Sequence, residues 1–198
     1  MEQIKDSYLT VAADAEAIFK EKSSKFLCYA YHVESEEEIA SHLEVLRKRY
    51  YDATHHCYAW RLGPFGERFR ANDDGEPAGS SGQPILRQLR SFGLTFSLVV
   101  VVRYYGGVNL GTGGLVVAYK TASKEALDAS TIEERFVKSE FQACIPYTEV
   151  DRAMRTIRSL EAEILSREYT AHDTILTLRC RLSRESELKE KLGVTEKD

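Results

Sequence analysis

Residues 98–114 constrain this chain more than any other stretch. Leu98, Val99, Val100, Val101 and Val102 form an unbroken aliphatic run, Arg103, Tyr104 and Tyr105 follow, and five glycines then fall within residues 106–114. A short run rich in β-branched residues and bounded by turn formers reads as a central strand buried on both faces. Residues 115–129 are rich in alanine and read as a helix, so the glycines form the loop that joins strand to helix. Glycine admits backbone conformations closed to other residues, and successive N–H groups in such a loop can turn toward one point. At a helix N-terminus that point favours an anion by about 0.3–1 kcal/mol from the dipole, with hydrogen bonds in addition. A tight strand-to-helix turn with close packing would use the same glycines. The loop is not a Walker A sequence, because Thr112 stands where the phosphate-binding lysine belongs. Nor is it a dinucleotide fingerprint, because Val116 stands where a third glycine belongs.

Charge placement favours the anion reading. The chain carries 27 basic and 31 acidic residues, a formal net charge of -4, which argues against a generally polybasic binder. Yet no acidic residue occurs from Ala78 through Lys124, while Arg87, Arg90, Arg103, Lys120 and Lys124 all fall inside that window. Buried apolar positions account for part of the depletion. The remainder places positive charge around the glycine loop, as a phosphate or nucleic-acid site would. The candidate contact set is Arg87, Arg90, Arg103, Tyr104, Tyr105, Gly106, Gly107, Asn109, Gly111, Gly113, Gly114, Lys120 and Lys124. The two tyrosines can stack on exposed bases, or one of the pair can be a core aromatic.

The rest of the chain reads as two α+β domains, residues 1–133 and 134–198. Residues 15–33 carry strand signals. Ser35 and Glu38 form a capping box, and Ile39, Leu43, Leu46 and Tyr50 supply the buried stripe of the helix that follows. His56, Tyr58 and Trp60 alternate along a strand that turns at Gly63, Pro64 and Gly66 and returns through Arg68, Phe69 and Arg70. Residues 72–82 are a loop by their density of turn formers, and Ile85, Leu86, Leu89 and Phe92 suggest a short helix. In the second half, Phe141, Ala143 and Ile145 line one face of a strand, and Thr148 with Asp151 resembles a helix cap. A second strand around residues 162–169 precedes a third with Leu176, Leu178, Cys180 and Leu182 on one face, and a helix over 184–192 stops at Gly193. This β-α-β-β-α order is a ferredoxin-like plan lacking its last strand, with only residues 194–198 left to supply it. The open edge can pair with a partner strand or with a second copy.

No apolar run approaches a membrane span and residues 1–10 lack a signal-peptide stretch, so a cytoplasmic chain with no membrane partner is expected. Cys28, Cys57, Cys144 and Cys180 have no metal-ribbon spacing and read as buried reduced thiols. Neither a metal nor a cofactor is expected: His55 and His56, adjacent on a strand, point to opposite faces and cannot easily share one ion. An enzyme reading remains, with His55 or His56, Asp74, Glu76 and Ser80 or Ser81 as an acid, base and nucleophile set acting on a small phosphorylated or nucleotide substrate. No GxSxG elbow supports it.

Several segments resemble the IMPACT (YigZ) family, bacterial two-domain type. They are Ser24-Lys25-Phe26, Ala53-Thr54-His55-His56-Cys57-Tyr58-Ala59, Asp74-Gly75-Glu76-Pro77-Ala78-Gly79-Ser80-Ser81-Gly82-Gln83-Pro84-Ile85-Leu86, and Val102-Arg103-Tyr104-Tyr105-Gly106-Gly107-Val108-Asn109-Leu110-Gly111. The resemblance implies a first domain of the β-α type shared by a small-subunit ribosomal protein, the GHMP kinases and domain IV of elongation factor G. It implies a ferredoxin-like second domain similar to the last domain of that factor. Eukaryotic relatives regulate translation initiation through an additional N-terminal domain absent here, so their partner is not carried over. The loop lacks the serine pair of the kinases. The expectation is therefore a non-catalytic regulator of translation that binds RNA or a ribosomal surface, with an enzyme or a protein-interaction module as alternatives.

Overall fold

The computed structural model describes residues 6–194. Its center is the strand that the aliphatic run predicts. This strand, β6 (Ser97–Tyr104), is flanked by β3 (Ser24–His32) and β4 (His55–Leu62), and every residue from 98 to 102 is fully buried. With β2 (Ala15–Glu21) and β5 (Arg68–Asn72) at the edges, the five strands run in the order β2-β3-β6-β4-β5, all neighbours antiparallel. Side chains alternate across the sheet. Phe26, Cys28, Cys57, Ala59, Val99 and Val101 face one layer, while Leu27, Tyr29, Tyr58, Trp60, Leu98, Val100 and Val102 face the other.

Helix α1 (Glu36–Arg49) covers the second face with Ile39, Leu43 and Leu46. Its cap forms: Glu38 N–H donates to Ser35 Oγ at 3.2 Å, and the Glu38 carboxylate reaches back to accept from Glu34 N–H at 2.8 Å. Helices α2 (Gly82–Ser91) and α3 (Gly111–Ala129) together cover the first face, through Ile85, Leu86 and Leu89 and through Leu115, Ala118, Tyr119, Ala122 and Leu127. The result is three layers with the sheet in the middle. Strands β1 (Ser7–Val11) and β7 (Ile132–Phe136) pair as a separate ribbon.

The chain divides into two compact units, one of Tyr8–Arg135 and one in which residues 6 and 7 join residues 136–194. In the second, β8 (Lys138–Pro146), α4 (Val150–Ser159), β9 (Glu163–Tyr169), β10 (Asp173–Arg181) and α5 (Glu185–Leu192) follow in that order. The sheet order is β8-β10-β9, with β10 antiparallel to both neighbours, and among the described residues the sheet has three strands. Ala143, Ile145, Leu176, Leu178 and Cys180 form its inner face, covered by Ala153 and Ile157 of α4 and by Leu188 of α5. Asp6 fastens the start of this unit. Its buried carboxylate accepts Arg181 Nε and Nη2 at 2.6 and 2.7 Å and Ser183 N–H at 3.0 Å. Those contacts, the Arg181 hydrogen bonds foremost, hold its carboxyl well below the usual range against the opposing cost of burial.

Several expectations are corrected. The strand signals of residues 15–33 resolve into two strands; Lys22 and Ser23, both at positive φ (42° and 68°), make a hairpin turn without the glycine or asparagine that signals one. The cap expected from Thr148 and Asp151 does not form: Tyr147–Glu149 is a 3-10 turn, and no side chain caps α4. Leu182 lies past β10 in a second 3-10 turn, Leu182–Arg184. Cys144 is exposed, because its neighbours Ala143 and Ile145 take the inner face of β8, whereas the other three thiols are buried. Residues 195–198, where the last strand was sought, lie outside the described residues. Among the described residues no helix is long and apolar enough to cross a membrane.

Candidate functional site

Sheet order builds a cleft from segments far apart in sequence. Because β4 lies beside β6, His55 is directly opposite Arg103. The loop from β5 to α2 brings Gly75, Glu76 and Pro77 over this pair. The loop from β6 to α3 brings Tyr105, Asn109 and Leu110, and the first turn of α3 brings Gly111 and Thr112, to the other wall, and the cleft volume is about 530 Å³.

The floor is a buried polar network. Glu76 Oε1 accepts from Arg103 Nη1 at 2.6 Å and from the Tyr119 hydroxyl at 2.7 Å. Arg103 Nη2 donates to Ser24 Oγ at 3.4 Å, and the same oxygen accepts Gly106 N–H at 3.2 Å, which ties the floor to the glycine loop. The guanidinium lies between the rings of Phe26 and Tyr105, 5.5 Å from each centroid. Arg103 is only 5% exposed, yet its Nε has no hydrogen-bond partner among the described residues. Burial pushes the Tyr119 hydroxyl far above its ordinary pKa, with Cys57 and Glu76 adding to the effect, so it remains a donor to Glu76. Burial likewise pushes the Cys57 thiol up to about 12. His55 Nδ1 lies 2.8 Å from the Asp74 carbonyl oxygen, which can only accept. Nδ1 therefore carries a proton and donates to that carbonyl, and Nε2 lies 3.9 Å from Glu76 Oε1.

The walls are held by contacts that the sequence reading passed over. Asp73 organises the β5–α2 loop: its carboxylate accepts N–H groups from Gly79 (2.8 Å), Ser81 (3.1 Å) and Gly82 (2.8 Å) and the Ser81 hydroxyl (2.7 Å). Burial raises this carboxyl, but those donors outweigh it and the net shift is downward. Asp73 thus does the capping of α2 from eight residues upstream, a signal that an i, i+3 capping rule does not search for. Gly106 is fixed by close approach. A Cβ there would sit 2.1 Å from the Ser23 carbonyl carbon and 2.5 Å from Ser24 N.

The structure brings His55, Glu76, Arg103, Tyr105, Asn109 and Gly111 together around the cleft and leaves the other candidates outside it. The Asp74 carboxylate turns to His56 N–H at 2.6 Å and Arg47 Nη2 at 3.3 Å. His56 is buried on the α1 face of the sheet, where desolvation lowers its pKa. Ser80 and Ser81 donate their hydroxyls to Pro77 O and to Asp73. Of the tyrosine pair, Tyr104 packs on the α1 core and donates to Asp52 at 2.8 Å, while Tyr105 is 45% exposed and donates to Asn109 Oδ1 at 3.1 Å. Around Gly107 and Gly113 there is open space, and Gly114 packs against Leu110. Arg87 and Arg90 on α2 and Lys120 and Lys124 on α3 are all exposed, and the Arg90 guanidinium lies over the ring of Phe69 on β5, 4.6 Å from its centroid. Among the described residues no group of three or more His, Cys, Asp or Glu is arranged to hold a metal.

A three-layer antiparallel domain with a cleft framed by a glycine loop, followed by a smaller three-stranded α+β domain, defines a two-domain architecture. A family model described as the Impact N-terminal domain matches residues 22–127, a span that contains every residue lining the cleft. The chain belongs to the IMPACT family. It is 34% identical over 168 residues to IMPACT family member YigZ of Escherichia coli K12, covering 84% of this chain and 82% of that protein. It is 42% identical over 142 residues to an IMPACT family member of Thermus thermophilus, covering 71% and 76%. A crystal structure described only as a hypothetical protein superposes with a TM-score of 0.72 at 32% identity, over 96% of this chain and 93% of that one.

Proposed function

We propose that this IMPACT-family chain acts in translation by binding structured RNA, ribosomal RNA included, through the outer face of α2 and α3. The observation that carries the reading is the placement of Arg87, Arg90, Lys120 and Lys124. All four are exposed on one helix layer, and all four come from the acid-free stretch of an otherwise acidic chain. The helical spacing of Arg87 to Arg90 and of Lys120 to Lys124 presents each pair on one side of its helix. Lys124 pairs with Asp128, but an exposed ion pair is worth at most about 1 kcal/mol and yields to a phosphate. The family resemblance supplies the link to translation.

Four cations that each neutralise a phosphate give a logarithmic salt slope of about -3 to -4. Fluorescence anisotropy with ribosomal RNA fragments, titrated across salt, is expected to show that slope, reduced by about 1 for each cation replaced by alanine. A flat salt dependence, or unchanged binding by the R87A/R90A/K120A/K124A chain, overturns the proposal.

A further inference from the structure

We infer that the β9 edge of the second unit, with the groove between it and α4, docks an extended peptide of a partner protein that carries an apolar residue and, two positions on, an acidic one. In the sheet order β8-β10-β9 the outer side of β9 pairs with no strand among the described residues, and an open edge of this kind is a template for another chain. The ladder fixes which residues face outward. Thr170 N–H donates to Asp173 O at 2.9 Å, so these two form a hydrogen-bonded pair. Opposed residues of an antiparallel ladder alternate between bonded and non-bonded pairs. Tyr169 opposite Thr174 and Arg167 opposite Leu176 are therefore non-bonded pairs, and both residues turn their N–H and C=O groups away from β10 to the open side. The register shift at Thr177/Leu178 falls on the other side of Ser166, so residues 166–169 keep this alternation.

The same two residues line the groove. Together with Leu176 and with Val150, Asp151 and Met154 of α4 they border a volume of about 310 Å³. The Tyr147 hydroxyl donates to Thr170 O at 2.6 Å and ties the turn before α4 to the β9–β10 turn. A strand added antiparallel to β9 hydrogen-bonds to Arg167 and Tyr169, and the residues opposite them, two apart, send their side chains to the groove face. Charge selects one of the two. Among the described residues Arg167 has no ion pair, and its guanidinium makes one long contact, Nη2 to Met154 Sδ at 3.9 Å. An acidic residue opposite it completes a cross-strand ion pair. Val150, Met154, Leu176 and the Tyr169 ring, 68% exposed, offer apolar surface to the other residue. Asp151 stands in the first turn of α4, where the helix dipole favours its charge, and disfavours a second carboxylate at the apolar position. Running antiparallel, the peptide meets Tyr169 before Arg167, so the apolar residue precedes the acidic one. A second copy of β9 is a poor occupant, because antiparallel pairing centred on Arg167 or on Glu168 opposes like charges.

The test measures fluorescence anisotropy of the full chain with capped, fluorescein-labelled serine–threonine nonapeptides that carry Leu-Thr-Glu, Leu-Thr-Lys or Ala-Thr-Glu at the centre. The Leu-Thr-Glu peptide is expected to bind at least tenfold more tightly than either of the others. Equal binding of the three, or failure of Leu-Thr-Glu to bind at millimolar concentration, overturns the inference. Arg167→Glu changes an exposed side chain and is expected to reverse the preference to Leu-Thr-Lys; an unchanged preference overturns the site. Amide exchange separates strand addition from occupancy of the groove alone. Bound peptide should slow exchange of the Arg167 and Tyr169 N–H groups at least tenfold, and that of Glu168 N–H, which faces β10, much less. Unaltered exchange at Arg167 and Tyr169 in the presence of bound peptide overturns strand addition. Sedimentation that shows a dimer dissociated by the peptide would assign the edge to a second copy instead. The R87A/R90A/K120A/K124A chain is expected to bind the peptide as the parent does, since those four residues belong to the first unit. Loss of binding there would move the peptide to that face, so the two proposals fail independently.

Discussion

Breaking the Glu76–Arg103 pair isolates the energetics of the cleft floor. The two side chains are 3% and 6% exposed and 2.6 Å apart, so removing one leaves the other charged in a site that water barely reaches. Loss of one member of a buried pair costs about 3–5 kcal/mol, most of it the desolvation of the partner left behind. Glu76→Gln keeps a carbonyl for the Tyr119 hydroxyl and removes only the charge; Arg103→Met keeps much of the length of the side chain and removes the guanidinium. Each is expected to destabilise the first unit by roughly 3 kcal/mol or more, on the order of 10 °C in its melting temperature. The double variant carries no buried charge at this position, and it should be more stable than the sum of the singles predicts by about 2 kcal/mol. The chain's single tryptophan makes the measurement clean. Trp60 is buried on the α1 face of the first sheet, so its fluorescence in urea follows that unit even where two domains unfold separately. Additivity of the two substitutions within about 0.5 kcal/mol would refute the reasoning, since it would mean the charges do not sense each other.

Gly106→Ala should destabilise the same unit by about 1–3 kcal/mol, because its Cβ meets Ser23 and Ser24 backbone that cannot rotate away; Trp60 fluorescence in urea again reads it, and a neutral result would show the hairpin to be soft. In the second unit, Asp6→Asn removes a carboxylate whose folded pKa is depressed. That contribution is fully present above the unfolded value of about 4 and is lost as pH falls toward the folded pKa. Amide exchange across β8 and β10 should therefore be faster in Asp6→Asn than in the parent at pH 7, and the two should converge as the medium is made progressively more acidic than pH 4. A gap that stays constant with pH would assign the effect to packing.

Local chemistry made part of this architecture readable. The Ser35–Glu38 cap, the stripe of Ile39, Leu43 and Leu46, and the stop at Gly193 act within a turn or two of helix, so the sequence suffices to place α1 and the end of α5. The aliphatic run announces β6 because it is short, rich in β-branched valine and followed by glycines, the pattern of a strand covered on both sides. Strands β1 and β7 carry no such signal. They are five residues each, and their pairing is decided across more than a hundred residues. The β2–β3 hairpin was hidden because Lys22 and Ser23 adopt a turn that glycine or asparagine would have advertised.

The candidate site divides along the same line. The residue types that suggested an anion site, the glycines and the acid-free basic stretch, are legible in the chain itself, as is the opposition of His55 and His56, since strand geometry alone sends neighbours to opposite faces. Which of the cations stand together is not. Arg103 appears in sequence as one of five equivalent positive charges; placing β4 beside β6 puts it under the β5–α2 loop, buried against Glu76, while Arg87, Arg90, Lys120 and Lys124 stay on the outer helix layer. Charge and turn chemistry are properties of single residues and short segments, whereas burial and partnership are set by strand order, which depends on contacts among residues too far apart in the chain for any local pattern to record.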